Sequence, residues 1–531
     1  MPSSAVYVNL PIATDGLNTE IEPTTVNVAY SPFMKNFIVE PWGIRKRMGY
    51  TQLGSNLPLS GTGGALISYT DARGTTHLIA LTTTKAYHYN SSSDEWDDIT
   101  PAAGNFTGDV DNIWAFCVAH DTSEFSNNGG TALIITNNVD DLQYFEGHSD
   151  DKFKVLSHGY PSFSHCKEVA EFWNHLFLIN YNNGANNVRS LAFASAGDVD
   201  NFSDGTSGGA TLTDSVGELL RPAKLGQDMI LYSAESIAVA RYYGQPVIFE
   251  FPSVIYKTSI IGQRALVALD NVHYFLGKNQ EIYAYAGGTY LTSIGLEVNG
   301  YLFDMLDSTK TARIVAGRDV SKRCVYFAIP RSGEDYPKAV FAYNYYRKHW
   351  EYHEFADSVR ALAVFSNQYT WYCDDARWAD EYCDEQSFYC DASSGQSGYS
   401  LACFITDDGY VMQLDDAGGQ DDDANIACEY QSLDATVDKE EHFGRWEWVS
   451  FVAKADISNS TVQVFYSTDG GETWTELSDS PVSLSSDWTT YRLPLDVVSR
   501  RIRFKLYQYS DKDIKLRSAI RCKVVLLTER D

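Results

Sequence analysis

Near the C-terminal end of the chain, Ser467, Asp469, Gly471 and Trp474 stand in the order Ser-x-Asp-x-Gly-x-x-Trp, the pattern of an Asp box. The chemistry of that spacing is structural. An Asp so placed accepts hydrogen bonds from main-chain N–H groups of a tight hairpin, the glycines take φ > 0, and the Trp packs beneath. A second match, Gly205-Thr-Ser207-Gly-Gly209, has the form Gly-x-Ser-x-Gly. A nucleophile elbow needs a strand before it and a helix after it, whereas DNFSDGTSGGATLTD predicts a polar loop. There is no phosphate loop, no His-Glu-x-x-His and no dinucleotide fingerprint. The sequence therefore assigns no catalytic residue, no cofactor site and no metal site, and predicts a protein that is not an enzyme.

Cysteine gives no clearer site. The nine cysteines include no Cys-x-x-Cys, and the densest group, Cys373, Cys383, Cys390 and Cys403, lacks zinc-ligand spacing. Free thiols in a reducing cytosol are expected. Around the first three, WYCDDARWADEYCDEQSFYCD repeats an aromatic-x-Asp unit from Tyr372, Trp378, Tyr382 and Tyr389 at irregular intervals. Calcium loops space their oxygens more tightly, so the run predicts an extended segment whose aromatics dock in a groove. A sialidase-like enzyme would need three arginines and a Tyr–Glu pair. Arg241, Arg264, Arg313 and Arg331 read as scattered, with nothing to set three of them on successive units beside such a pair. The Asp box and the many Trp and Tyr, which can stack on sugars, keep a carbohydrate-binding or sialidase-like β-propeller acting on host surface glycans as the second reading. Arg45, Lys46 and Arg47 form a basic triplet that could touch nucleic acid.

The elements that would position these residues are strands. Of the 531 residues, 14% are aromatic, with 38 Gly and many Asn, Ser and Asp at turns. Only Tyr301 to Ile314 has helical periodicity, enough for one short helix. Between about 60 and 415 a loose unit recurs: an apolar strand, a turn, a second strand, a turn, and an aromatic-rich strand. Examples are 65–69, 77–81 and 85–89, then 265–269, 273–276 and 281–285. Units of about 40 to 60 residues on short strands predict an all-β chain built on a β-propeller of six or seven irregular blades, the alternative being a pair of β-sandwiches. Residues 1–60 are expected to supply strands and an arm closing the propeller, 61–425 the propeller with an acidic insertion at 371–423, and 426–531 a C-terminal β-sandwich.

With 70 acidic and 41 basic residues the formal charge is −29. That balance argues against a nucleic-acid clamp or an anionic-membrane binder. No apolar run reaches the roughly 20 residues of a membrane span, and MPSSAVYVNL lacks the apolar core of a signal peptide. A soluble chain without an export signal is expected. Basic charge is concentrated from Arg500 to Lys523, including Arg500, Arg501, Arg503 and Lys505. It could meet an acidic surface of a partner, as Arg45, Lys46 and Arg47 could, or it could be one exposed strand face.

The segment from Asn36 to Tyr50 (NFIVEPWGIRKRMGY) resembles the start of the tail-hub proteins of short-tailed bacteriophages, also called packaged-DNA stabilisation proteins, nozzles or stoppers. The aromatic–Asp run, the stretch Gly226-Gln-Asp-Met-Ile-Leu-Tyr-Ser-Ala-Glu-Ser-Ile and the hairpin from Tyr466 to Trp474 look like the same group, although Tyr-Cys-Asp departs from its usual Trp-Asp or Tyr-Asp. The resemblance implies a virion structural protein of the tail, assembled in the cytoplasm of a bacterial host. It implies a homohexameric ring below the portal and its adaptor that extends the DNA channel, retains the packaged genome and docks a needle, fibre or tailspike. DNA would pass without sequence-specific binding. A lumen poor in Lys and Arg would suit that passage, since fixed cations hold phosphates.

Overall fold

The structure is a computed structural model that describes residues 5–22, 28–125, 129–147, 151–157, 165–203, 205–366, 400–437 and 442–527. The chain is mostly β. Among the described residues one α-helix, Asn299–Met305, and one 3-10 helix, Ser308–Arg313, interrupt the strands. They fall where the short helix was expected, and the extended backbone of Leu306 divides them.

Four-stranded antiparallel sheets follow one another along the chain. Sheet 1 takes Gly63–Thr70, Thr76–Thr82, Ala86–Asn90 and Glu95–Asp98, each strand pairing with the next. Sheets 2 (115–155), 3 (165–211), 5 (266–293) and 6 (315–354) repeat that order, and sheet 4 (219–256) divides its last position between two short strands. Sheet 7 has Ala361–Ser366, Ser400–Ile405 and Val411–Ala417, and takes its fourth strand, Gly49–Gln52, from far upstream. The middle strands explain why the pattern was legible. Thr131–Thr136 (TALIIT) and Cys324–Ile329 (CVYFAI) are buried at every residue, because another sheet covers each face. Such strands read as continuous apolar runs.

Apolar clusters fill the spaces between consecutive sheets. Ile79 meets Leu133 between sheets 1 and 2, and Ile134 meets Leu178 between 2 and 3. Phe177 and Leu231, then Ile230 and Phe275, continue through sheets 3, 4 and 5. Leu276 with Phe327 and Tyr326 with Phe404 carry the series to sheet 7. Cys403 and Leu78 lie in one cluster between sheets 7 and 1, so the series returns on itself in a propeller-like arrangement. Paired sandwiches would not produce that closed series.

Beyond residue 423 two more sheets share one core. The first joins Thr489–Ser499, Gly444–Lys454 and Lys515–Leu526, with Ala5–Pro11, Gly43–Lys46 and Phe37–Glu40 added from the N-terminal segment. The second orders Thr461–Ser467, Arg501–Ser510, Ala424–Gln431 and Phe33–Lys35, the last forming a parallel bridge to His349–Glu354 of sheet 6. Buried Trp446, Tyr430 and Phe504 fill the space between them. Lys515–Leu526 alternates, with Leu516, Ile520, Cys522 and Val524 inward and Arg521 exposed, so much of the basic stretch is the outer face of a strand. The N-terminal segment is shared: Gly49–Gln52 completes sheet 7, while the strands at 5–11, 33–35, 37–40 and 43–46 serve the C-terminal sheets. Within the expected acidic insertion, Ser400–Ile405 and Val411–Ala417 are strands of sheet 7. Cys373, Cys383, Cys390 and the aromatic–Asp run lie outside the described residues.

Candidate functional site

The first strands of sheets 5, 6 and 7 are Leu266–Ala268, Val315–Asp319 and Ala361–Ser366, and an arginine stands one or two residues before each: Arg264, Arg313 and Arg360. Arg221 lies in the first strand of sheet 4, Leu219–Leu225. The sequence repeats itself here, as Arg-Ala-Leu-Val at 264, Arg-Ile-Val-Ala at 313 and Arg-Ala-Leu-Ala at 360. Spaced at the length of one sheet, these tetrapeptides were the signal that a count of individual arginines missed. Of the four arginines named from the sequence, Arg264 and Arg313 line one pocket, joined there by Arg360, with Gly64 of sheet 1, Thr83 after its second strand, and Asn112 and Trp114 before sheet 2.

The guanidinium groups reach from sheet to sheet. Arg221 Nη1 donates to the carbonyls of Gln263 and Leu266 at 3.3 and 3.1 Å, and Arg264 Nη1 to that of Arg360 at 2.9 Å. Arg360 donates through Nε to the Gly63 carbonyl at 2.9 Å and through Nη2 to that of Val110 at 3.2 Å, and it lies 4.4 Å from the centre of the Tyr336 ring. Arg313 is the member with carboxylate partners, Asp111 at 3.3 Å and Asp335 at 3.5 Å. Among the described residues no carboxylate lies within ion-pair distance of Arg221, Arg264 or Arg360. Burial, with Arg360 and Arg221 alongside, pushes Arg264 down to about 9. Glu168 of sheet 3, held by Gln263 Nε2 at 2.7 Å, is pushed up by burial to about 7 despite nearby Arg221. The arrangement gathers three arginines around one pocket in a chain whose formal charge is −29.

The residues singled out by sequence lie elsewhere. In the Asp box, Ser467 Oγ donates to Asp469 Oδ1 at 2.6 Å and accepts from Gly471 N–H at 2.8 Å. Asp469 accepts from Thr473 N–H at 3.0 Å and from the Thr473 hydroxyl, and these bonds hold its carboxyl well below the ordinary carboxylate range. Lys505 Nζ lies 4.7 Å from the centre of the half-buried Trp474 ring. This geometry is that of a braced turn. Ser207 precedes a short edge strand, Gly208–Thr211, and not a helix.

Three of the basic residues proposed as partner contacts are spent inside the chain, because burying a cation requires pairing it. Lys46 is buried and donates to the carbonyls of Ser510 and Lys512 at 2.6 and 3.0 Å. Arg47, 4% exposed, pairs with Asp421 through both terminal nitrogens at 2.7 and 2.6 Å. Arg503 is buried against Asp434 at 2.6 Å. Arg45 pairs with Glu40 at 3.0 Å and lines a groove of about 410 Å³ beside Lys322, Arg323 and Arg347. Arg501 is exposed and 3.6 Å from Asp434, and Arg500 covers the Phe443 ring at 4.8 Å. Asp121, Asp198 and Asp200 bring carboxylate oxygens within 4.8 Å of one another, a set chemically able to hold a cation. Asp121 already accepts from Ser123 N–H at 2.8 Å, closing a local turn, and from Val199 N–H at 3.0 Å, a tie between distant segments.

No family model matches the chain, and no curated protein matches it. Solved structures do. The WD40 β-propeller domain of Doa1 is 8% identical, with 69% of this chain and 97% of that chain covered, at a TM-score of 0.36. An exo-β-1,3-galactanase from Phanerochaete chrysosporium is 9% identical, with 90% and 100% covered, at a TM-score of 0.23. A variant family 29 carbohydrate-binding module is 16% identical, with 24% and 74% covered, at a TM-score of 0.14. These likenesses concern propeller-like and other β folds and carry no argument about ligand or activity.

Proposed function

We propose that this chain is a structural virion protein, a tail-hub or nozzle subunit of a short-tailed bacteriophage, built as a seven-bladed propeller with a C-terminal β-sandwich. As a homohexamer below the portal and adaptor it extends the DNA channel, retains the packaged genome and docks distal tail components. The supporting observation is the use made of the segment that resembles this family. Asn36 Nδ2 donates to the Ala427 carbonyl at 2.7 Å, and its Oδ1 accepts from Arg47 Nε at 2.9 Å and Glu354 N–H at 2.9 Å. One side chain thus ties the C-terminal sheets, the N-terminal segment and sheet 6. A conduit wall that bears load needs propeller and sandwich to move as one body. Native mass spectrometry and negative-stain imaging, with and without portal and adaptor proteins, test this: a six-fold ring with an axial hole is expected, and a monomer under every condition refutes it.

One observation favours the carbohydrate reading. Trp173 has φ 53°, a conformation rare for a bulky residue, and stacks 4.9 Å from Tyr242 with a 16° tilt, both rings exposed. Such a platform suits a sugar face. Glycan-array binding lost in Trp173→Ala would support it, and silence on the array would remove it.

A further inference from the structure

We infer that the arginine pocket at the start of sheets 5, 6 and 7 is a binding site for one compact oxyanion of the phosphate or sulfate class. The first reason is charge. Arg264, Arg313 and Arg360 line the pocket and Arg221, bonded to the Gln263 and Leu266 carbonyls, lies near Arg264, while only Arg313 has carboxylates in ion-pair range among the described residues. Unpaired guanidinium groups removed from bulk water repel one another unless an anion joins them.

The second reason is donor geometry. The structure gives Arg264 one hydrogen bond, from Nη1 to the Arg360 carbonyl, so Nε and Nη2 keep donors for a ligand in the pocket. A guanidinium fork matches an oxyanion edge. The Arg360 side chain is fixed by the Gly63 and Val110 carbonyls and by the Tyr336 ring, which leaves it little freedom to turn away.

The third reason is size. The free volume is about 20 Å³, room for one or two waters or a single compact ion. Asp109 and Asp111 at the rim would also repel a polyanion while leaving a small ion its bonds within. This inference is independent of the tail-hub reading.

The test uses the full chain in low-salt buffer free of phosphate and sulfate. Calorimetric titration with inorganic phosphate is expected to give saturable binding, competed by sulfate and weakened at least about tenfold in Arg264→Gln, a factor expected for loss of a charge-assisted contact. Arg73→Gln, exposed and outside the pocket, keeps wild-type affinity. If Arg264→Gln does not fold, crystals of the wild-type chain soaked in selenate give an independent answer, an anomalous peak between Arg264, Arg313 and Arg360. No saturable heat and no anomalous peak would overturn the inference. So would a folded Arg264→Gln with unchanged affinity, or binding of a sialoside without binding of phosphate.

Discussion

Removing the Asp421 carboxylate should destabilise the chain far more than removing any exposed acid, because Asp421 is the counter-charge of a buried arginine. Arg47 and Asp421 are each 4% exposed at the side chain, and their two bonds of 2.7 and 2.6 Å join the N-terminal segment to the start of the C-terminal sheets. Arg47 is further fixed by Asn36 Oδ1 at 2.9 Å, the Glu354 carbonyl at 2.8 Å and the Phe355 ring at 4.8 Å. In Asp421→Ala those neighbours hold the guanidinium in place with two donors unmet. Breaking a buried pair in this way costs about 3–5 kcal/mol. Arg47→Met should cost a similar amount by stranding the carboxylate, whereas Arg47→Met with Asp421→Ala strands neither charge. The double variant should then be less destabilised than the sum of the singles by at least about 2 kcal/mol. Urea unfolding followed by tryptophan fluorescence supplies the comparison, read at the first transition, since a chain of this size need not unfold in one step. Losses under about 1 kcal/mol in Asp421→Ala, or strict additivity in the double variant, would refute the reasoning.

Glu168 gives a pH test. Burial raises its pKa from 4.5 to about 7, so the folded state holds a proton that the unfolded chain releases; the stabilisation is complete below about pH 4.5 and is lost as pH climbs through 7. Glu168→Gln should gain on the parent by up to about 3 kcal/mol between pH 5 and 8, and a difference that stays flat with pH would contradict this. Gly49→Ala places a Cβ 1.4 Å from the Gln420 carbonyl oxygen, so it should lower stability by about 2 kcal/mol or more, seen as a lower melting temperature. Asp469→Ala should open the hairpin at 467–474 to proteolysis and leave oligomeric state unchanged, with the difference from wild type vanishing in strong acid, where the parent carboxyl is also protonated. Cys403 and Cys428 are buried with thiols pushed up to about 12, so peptide mapping after alkylation should find both protected until the chain is unfolded.

Much of the strand pattern was legible because sheets covered on both faces leave long apolar runs, as in TALIIT and CVYFAI. What escaped was the first strand of sheets 3 and 4. His165–Phe172 (HCKEVAEF) and Leu219–Leu225 (LLRPAKL) carry charged residues, since the innermost strand faces the axis. A strand lining a polar axis has no apolar run to announce it. The same facing hid the candidate site. Arg264, Arg313 and Arg360 are far apart in sequence, and only a frame that already aligns sheets 5, 6 and 7 brings them into register. Two members of the basic triplet, Lys46 and Arg47, proved buried for a related reason. Sequence shows that Arg45, Lys46 and Arg47 are charged and adjacent, but not that the strand alternates Arg45 toward a groove and Lys46 toward the Ser510 and Lys512 carbonyls.

The residues behind the tail-hub resemblance prove to be those that a joint requires. Gly43 packs where a Cβ would lie 2.0 Å from the Leu516 carbonyl oxygen, against a strand of the C-terminal sheets, and Gly49 is equally constrained by Gln420. Asn36 takes φ 59°, a conformation Asn tolerates better than most residues. Arg47 needs a fork because Asp421 is met edge to edge. Tyr50 is fully buried, its hydroxyl donating to Asp357 Oδ2 at 3.0 Å and accepting from Asp357 N–H at 2.9 Å. Each of these roles is met by the chain's own backbone and side chains. The pattern Asn–aromatic–Val–Glu–turn–basic–Gly would mark a way of fastening a propeller to a C-terminal sandwich. The discriminating consequence is that exchange of Asn36 for Asp, which keeps the two accepted bonds but replaces the donor to Ala427 with a carboxylate facing that carbonyl, should loosen the joint to proteolysis without unfolding sheets 1 to 5. A joint that stays resistant in that variant would mean the fastening lies elsewhere.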